Sequence, residues 1–404
     1  MTVEQIYSII NAISDEILGE SAVVKEDLSN VVDIGKSIFN ATNVDNYVNK
    51  LLDRIGRMVF VNQRYSKKMP DILFDNWEYG SIACKISANL MDAQINESWN
   101  LQSGESYNQD VYYAPSVNVS FFNHKVTFEI PCSFGEMQVK ESFTSLTELN
   151  SFFSMIETGI ENSMTIKLDS LIMRTINNMI GQTLLKDAAA FTPVGAASVD
   201  YGSASTLRAV NLLKLYNEEF DTNLTAADAL TTPAFIRYSA YVLKLYKGYL
   251  TNMSTKFNID GLERFTEESN LRTVLLNDLA AAHEVYLESD TYHNDMVKLP
   301  EGYQTVPFWQ GSGTAYDFTS KSTIHIDVAD ATQEVTGKTE IEITGVLGVM
   351  FSRYACGVNQ YNRRVTTHLN AKAEFVNNYY KTDANYWNAL DEDFVVFFIA
   401  DPAA

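Results

Sequence analysis

The stretch TELNSFFSMIETGIENSMTIKLDSLIMRTINNMIGQTLL, residues 147–185, decides how the rest of the chain is read. Its apolar residues are Leu149, Phe152, Phe153, Ile156, Ile160, Met164, Leu168, Leu171, Ile172, Ile176, Met179 and Ile180. The steps between them are mostly three and four, the helical period that gathers apolar side chains into one stripe. Asn150, Glu157, Glu161, Asn162, Lys167, Asp169, Arg174, Asn177 and Asn178 fall to the remaining polar surface. Thr147 is placed to cap the start, and Gly181 to break the helix near its end. No proline interrupts the run, and Gly159 costs only about 1 kcal/mol against alanine. Such a helix spans on the order of 55 Å, far beyond the usual three or four turns. It predicts a spine across which other elements lie.

Charge narrows the class of partner. The 404 residues carry 30 Lys and Arg against 51 Asp and Glu, a formal net charge of -21. Such a surface repels nucleic acid and anionic membranes. The length predicts two or three structural units with a sizeable core. Tyr and Phe number 22 each, which suits extensive packing or protein–protein contact. Cys84, Cys132 and Cys356 are isolated, so a reducing compartment is expected and a disulfide framework is not. The opening Met1-Thr2-Val3-Glu4-Gln5 lacks the basic start and apolar block of a secretory signal. No run reaches the roughly 20 apolar residues of a membrane helix. The expectation is a soluble cytosolic product without membrane association.

Along the chain, Val3, Ile6, Ile10, Ile13 and Ile17 predict an amphipathic helix over 3–18, and a second helical pattern covers Val44–Met58. These pieces are too small to bury a core alone, so residues 1–75 read as an arm. The period then falls toward two. Val117, Val119 and Phe121 alternate with polar residues, and so, beyond Asn123-His124, do Val126, Phe128 and Ile130. That pattern predicts two strands paired across a tight turn, with Ile86–Ile95 as a third strand upstream. The polar stretch Asn100–Asp110 lies between, the tip of an excursion that is not stable alone and asks for a partner surface. Residues 186–205 read as loop, Thr206–Phe220 and Pro233–Leu250 as helices, and a further helix is expected near Leu276–Val285. Ile341–Phe351 has the unbroken apolar pattern of a buried strand. Val365–Tyr380 reads as extended and Asp393–Ile399 as a strongly apolar strand.

No constellation of catalytic residues emerges. His124, His283, His293, His325 and His368 never fall in a metal-ligand spacing, and the cysteines never approach Cys-x-x-Cys. Gly311-Ser312-Gly313 lacks the remaining elements of a phosphate loop and reads as a turn. There is no Gly-x-Ser-x-Gly elbow. Asp391-Glu392-Asp393 and the 327–330 segment lack EF-hand spacing and read as solvated rim charge. Tyr112-Tyr113 and Tyr379-Tyr380 could stack on bases, but in an acidic chain interface packing is the preferred reading. No catalytic, cofactor-binding or metal-ligating residue is assigned.

The order of parts carries the functional signal. Phe128–Glu148 leads, through Glu141–Thr147, into the helix Leu149–Ile180; Ile341–Tyr361 and Asn370–Phe398 follow. This layout resembles the major capsid proteins of tailed bacteriophages, an α+β fold shared with encapsulins and the floor of herpesvirus capsids. The resemblance implies an N-terminal arm (1–75), an extended hairpin loop (76–140), the spine helix of a peripheral domain (141–186), an axial domain (187–361) and return strands of the peripheral domain (362–404). It implies self-assembly into hexamers and pentamers of an icosahedral or prolate shell enclosing double-stranded DNA, touched only non-specifically. Scaffolding protein and portal are the implied assembly partners, with assembly in the host cytoplasm and residence in the virion. Gln102, Ser103, Gly104, Glu105, Ser106, Tyr107, Asn108, Tyr112 and Tyr113 are the implied contacts to a neighbouring subunit. Two readings stand beside this one: an encapsulin-like compartment shell, and another protein such as a portal, a tail component or a soluble enzyme.

Overall fold

The computed structural model describes residues 62–65, 70–74, 83–91, 93, 95, 103–104, 110–135, 146–187, 192–194, 198–200, 205–288, 298–310, 322–328, 339–370, 372 and 375–401. The helices expected over 3–18 and 44–58, and Gly311-Ser312-Gly313, lie outside them. The chain divides into two compact units, one of residues 1–63 with 150–155 and one of the remainder. In the first, Asn62 Nδ2 donates to Ser154 Oγ at 3.1 Å, and the Phe152 and Phe153 rings stand 6.0 Å apart.

Described elements run β1 (Leu73–Phe74), β2 (Ala83–Ala88), β3 (Val117–Phe122), β4 (Lys125–Gly135), α1 (Leu146–Lys186), β5 (Thr192–Val194), β6 (Ser198–Asp200), β7 (Ala209–Asn211), α2 (Leu212–Phe220), α3 (Ala226–Ala229) and α4 (Pro233–Leu250). They continue with β8 (Leu271–Leu276), α5 (Asn277–His283), β9 (Gln304–Val306), β10 (Ile324–Val328), β11 (Thr339–Ile343), β12 (Val346–Ser352), β13 (Cys356–Asn370), β14 (Phe375–Asn388) and β15 (Phe394–Phe398).

The spine is present as α1, 41 residues long. Its surroundings differ from the expected single stripe. Between Leu171 and Leu184 it is enclosed on nearly all sides, and Arg174 alone in that stretch is exposed. Gly181 is buried inside the helix and does not break it, because tertiary packing outweighs its weak propensity. Asp169 and Asn177, assigned to the polar surface, are buried. Asn177 Nδ2 donates to the Trp309 carbonyl at 2.8 Å. The hydroxyls of Thr175 and Thr183 donate to the carbonyls of Leu171 and Met179, each at 2.8 Å, the usual way a helix satisfies a buried threonine.

The enclosing surface is a five-stranded sheet of order β7-β15-β12-β8-β9. β12 runs antiparallel to β15 and β8, while β7 and β9 add parallel strands at the two edges. Every residue of β12 and β15 is buried, as continuous apolar strands require when both faces are covered. Phe394, Val396 and Phe398 join Ile176, Ile180 and Leu184 of α1 in one core. Val395 and Phe397 point the other way, into a second core with Leu213 of α2 and Phe235 and Leu243 of α4. The sheet is therefore the middle of a three-layer sandwich.

A four-stranded sheet of order β1-β13-β14-β4 carries the long β13–β14 ribbon. Gly357 faces Trp387 across it, and a Cβ there would come within 2.0 Å of the indole. The ring of Trp387 also lies 4.9 Å from Phe74 and 6.3 Å from Phe122.

Several expectations change. The strands over 117–121 and 126–130 do not pair with each other: β3 pairs with β2 and β4 with β14. The strand expected over 86–95 is the shorter β2, and residues 186–205 contain the β5–β6 pair. Residues 209–211 form β7 before α2 begins, with Asn211 Oδ1 accepting from the Leu213 and Lys214 amides at 3.1 and 3.2 Å. The expected strand 341–351 is divided into β11 and β12 at Gly345, whose φ of 72° suits glycine and whose Cβ would meet the Ile399 carbonyl. The return segment 362–404 divides between the sheets, because β15 sits between β7 and β12.

Candidate assembly surface

The β2–β3 ribbon has its polarity reversed. Alternation puts Ala83, Lys85 and Ser87 of β2 on one face with their cross-strand partners Phe122, Ser120 and Asn118. That largely polar face is buried or half-buried. The opposite face holds Cys84 with Phe121, Ile86 with Val119, and Ala88 with Val117. Here Phe121 is 71% and Ile86 68% exposed. A two-stranded ribbon is normally stabilised by packing its apolar face; this one turns that face away from its own chain. The connecting segment continues the pattern, with Leu90, Met91, Ile95 and Val111 all exposed.

Polar contacts hold the inward face. Lys85 Nζ lies 2.7 Å from Asp391 Oδ1 and 2.6 Å from Glu392 Oε1. Arg264 Nη2 donates to Ser87 Oγ at 2.8 Å and stands 3.4 Å from Asp391 Oδ2. Asp391, Glu392 and Asp393 are buried, which corrects their reading as solvated rim charge: Lys85 and Arg264 compensate Asp391 and Glu392. Asp393 takes a hydrogen bond from Thr266 Oγ1 at 2.9 Å. Burial, and secondarily the Glu392 charge, push its carboxyl up to about 6 against the pull of Thr266, Asn258 and Arg264.

A second charged node stands where the chain passes from the ribbon to the other sheet. Asp383 on β14 accepts from Thr127 Oγ1 at 2.7 Å, Asn362 Nδ2 at 3.0 Å and Arg364 Nη1 at 2.9 Å, with Lys125 Nζ at 3.4 Å. Burial works against its charge, but the Arg364, Thr127 and Asn362 hydrogen bonds and the Arg364 charge prevail and hold the carboxyl well below the usual range. Asn362 sits at a bulge with φ 50°, and the next residue, Arg363, pairs with Glu161 of α1.

Of the nine expected contact residues, Ser103 and Gly104 form an exposed turn, and Tyr112 and Tyr113 are 87% and 73% exposed. Gln102, Glu105, Ser106, Tyr107 and Asn108 lie outside the described residues. Sequence reasoning missed the outward face of the ribbon; the alternation at 117–121 was visible, but not which face the chain would cover. Among the described residues no group of His, Cys, Asp and Glu could hold a metal ion, and no helix is long and apolar enough to cross a membrane.

The described residues thus combine a spine helix, a covered mixed sheet, a return ribbon and an excursion with its apolar side outward. The fold is that of tailed-phage capsid shells. It is similar to the capsid structure of Staphylococcus phage Andhra, at 8% identity over 85% of this chain and 87% of that one, TM-score 0.50. A chain in the structure of the head fiber and inner core protein gp22 of native bacteriophage P68 gives the same values, 8% identity, 85% and 87% coverage and TM-score 0.50. No curated protein sequence matches the chain. Residues 10–398 match the Phi29-like phage major capsid protein family, and the chain belongs to it. It is a structural protein of the capsid shell of a bacteriophage virion.

Proposed function

We propose that the outward face of β2–β3, with the loop through Tyr112 and Tyr113, lies on a neighbouring copy and closes the shell. The observation that carries this reading is the reversed polarity: an apolar face turned outward while Lys85 and Ser87 anchor the inward side. The tip residues Gln102–Asn108 belong to the same contact. Subunits joined in this way form the hexamers and pentamers of a closed shell. Residues 1–75 serve as an arm, 76–140 as the excursion and 141–186 as the spine of a peripheral domain that β14 and the part of β13 beyond residue 361 complete. The axial domain takes residues 187–361 together with β15. Scaffolding protein and portal are transient partners during assembly in the host cytoplasm. The net charge of -21 supports a wall along which packaged DNA slides without sticking.

The test is the double variant Ile86→Ser, Phe121→Ser. It should yield a soluble subunit with the wild-type melting temperature and few closed particles by electron microscopy. Cys84, on the same face, should react with a maleimide in the free subunit and be protected in assembled shells. Normal particle yield with Cys84 still reactive would overturn the reading.

A further inference from the structure

The four-stranded sheet β1-β13-β14-β4 treats its two edges differently. On β4 the outer edge carries Pro131, which cannot donate to a further strand, together with the charges of Lys125 and Glu129. β13 is the other long edge, and β1 covers it only at Val358 and Asn359. Beyond the bulge at Asn362 its pairing with β14 is regular from Arg364 to Asn370. Among the described residues no strand lies outside this stretch, and Val365, Thr366, Thr367, His368 and Leu369 are all exposed. Five residues of open edge extend about 17 Å. They include no proline, and Val365, Thr366 and Thr367 favour strands. Alternation puts Val365, Thr367 and Leu369 on one face with Tyr380, Asn378 and Val376 of β14. Those three β14 residues are half-buried, whereas Val365 and Leu369 are 53% and 62% exposed. A largely apolar face thus runs out to an uncovered rim.

We propose that this open edge pairs antiparallel with the same edge of a second copy, joining two sheets into one about a two-fold axis at Thr367. The strand's own sequence selects that mate and that register. Centred on Thr367, the middle of the exposed stretch, the pairing sets Val365 opposite Leu369 and Thr366 opposite His368, each twice by symmetry. Arg364 then faces Asn370. Moving the centre by one residue sets Arg364 opposite His368 or Lys372 and removes both Val365–Leu369 pairs. Cross-strand apolar pairs stabilise a sheet, and like charges directly opposite destabilise it. The two-fold runs perpendicular to the joined sheet, so the apolar rims of the two copies lie on the same side and become continuous. The β2–β3 ribbon engages by its face, which leaves this edge open. Residues beyond 361 also lie outside the segment given to the axial domain. An isologous contact here therefore leaves head-to-tail contacts within a ring untouched and links one ring to the next. This pairing is additional to the ribbon contact and does not depend on it.

Cross-linking tests the register. Directly opposed residues stand about 4.5 or 5.5 Å apart between Cα atoms, inside the range a disulfide spans. In the full chain with Cys84→Ala, Thr367→Cys should oxidise in assembled shells to a dimer of two 45.4 kDa chains. Subunits bearing Val365→Cys should cross-link with subunits bearing Leu369→Cys in mixed shells, and neither with itself. Charge supplies the second arm. Val365→Lys with Leu369→Lys sets lysines opposite each other, and should lower the yield of closed particles about tenfold without moving the melting temperature of the free subunit. Val365→Lys with Leu369→Glu faces each lysine with a glutamate and should restore the yield. Thr367→Cys that stays monomeric under oxidation, or wild-type yield from the double lysine variant, would overturn the proposal. So would Thr367→Cys that links instead to Ile86→Cys of a neighbouring copy, which would put that copy's ribbon on this edge.

Discussion

The Lys85 ammonium sits 2.7 Å from Asp391 Oδ1, joining the root of the β2–β3 ribbon to the corner that precedes β15. Lys85 also meets Glu392 at 2.6 Å and is only 17% exposed. Removing its charge leaves two buried carboxylates with Arg264 as their nearest compensation. Lys85→Met should therefore destabilise the subunit by roughly 3–5 kcal/mol, the usual cost of a broken buried pair. Urea unfolding of the free subunit measures it. A loss below that of an ordinary surface ion pair would show that the ribbon is not held there.

The same corner gives a pH dependence. Asp393, pushed up to about 6 by burial, binds its proton more tightly folded than unfolded. Its contribution to stability is thus full below about pH 4, the unfolded value, and is lost as pH rises through about 6. Asp393→Asn, which can still accept from Thr266, should raise the melting temperature at pH 7.5 and confer no gain at pH 4.5. Asp383 has the opposite sign: its carboxyl is held low, so its contribution is present above about pH 4 and disappears only in stronger acid. Melting curves of Asp393→Asn and Asp383→Asn across this range should diverge in opposite directions at neutral pH.

How far the residues alone reveal this arrangement depends on how local each cause is. The ends of α1 fall within one residue of the stretch that predicted it, because period and the absence of proline are properties of neighbouring residues. The hairpin expected across Asn123-His124 misleads because the competing partner is remote. Tyr386 N donates to the His124 carbonyl at 3.2 Å, and β14 takes β4 away from β3. Lys85 and Asp391 are 306 positions apart, so nothing near Asp391-Glu392-Asp393 signals that the cluster is buried. Asn177 is likewise explained only by Trp309, 132 residues on.

Gly357 is a position where size alone decides. A methyl group there would lie 2.0 Å from Trp387 Cζ2, so Gly357→Ala must displace the indole that also contacts Phe74 and Phe122. A cost of about 1–3 kcal/mol is expected, typical of overpacking. Tryptophan fluorescence should report a changed indole environment in the folded protein. An unchanged spectrum with unchanged stability would contradict the packing described.

The tip of the excursion separates folding from assembly. Ser103 and Gly104 are exposed, and the described residues flanking the tip bury little against their own chain. Deleting Gln102–Asn108 should leave the thermal transition of the subunit intact while closed shells fail to form. Particles of normal yield and diameter from this deletion would remove the tip from the contact.

The last prediction is a shell held without covalent bonds between subunits. An isopeptide between neighbours needs a lysine amine able to attack a partner's amide. Residues 86–124, the whole excursion beyond its root, contain neither lysine nor arginine. The two lysines at its base are engaged: Lys85 with Asp391 and Glu392, and Lys125 with Asp383 at 3.4 Å, its ammonium 5.5 Å above the Tyr361 ring. Disulfides are no better served, since Cys356 is buried in β13, with burial pushing its thiol up, and Cys132 is half-buried in β4. Cys84 is exposed on the outward face opposite Phe121, and the proposed subunit contact would cover it with apolar side chains. Cohesion then rests on extensive interfaces, and obligate ones bury roughly 2,000 Å² or more. Boiling mature particles in denaturing detergent with reductant should release a single band near 45.4 kDa. A ladder of dimers to hexamers surviving that treatment would show cross-links that this chain has no free amine on its excursion to make.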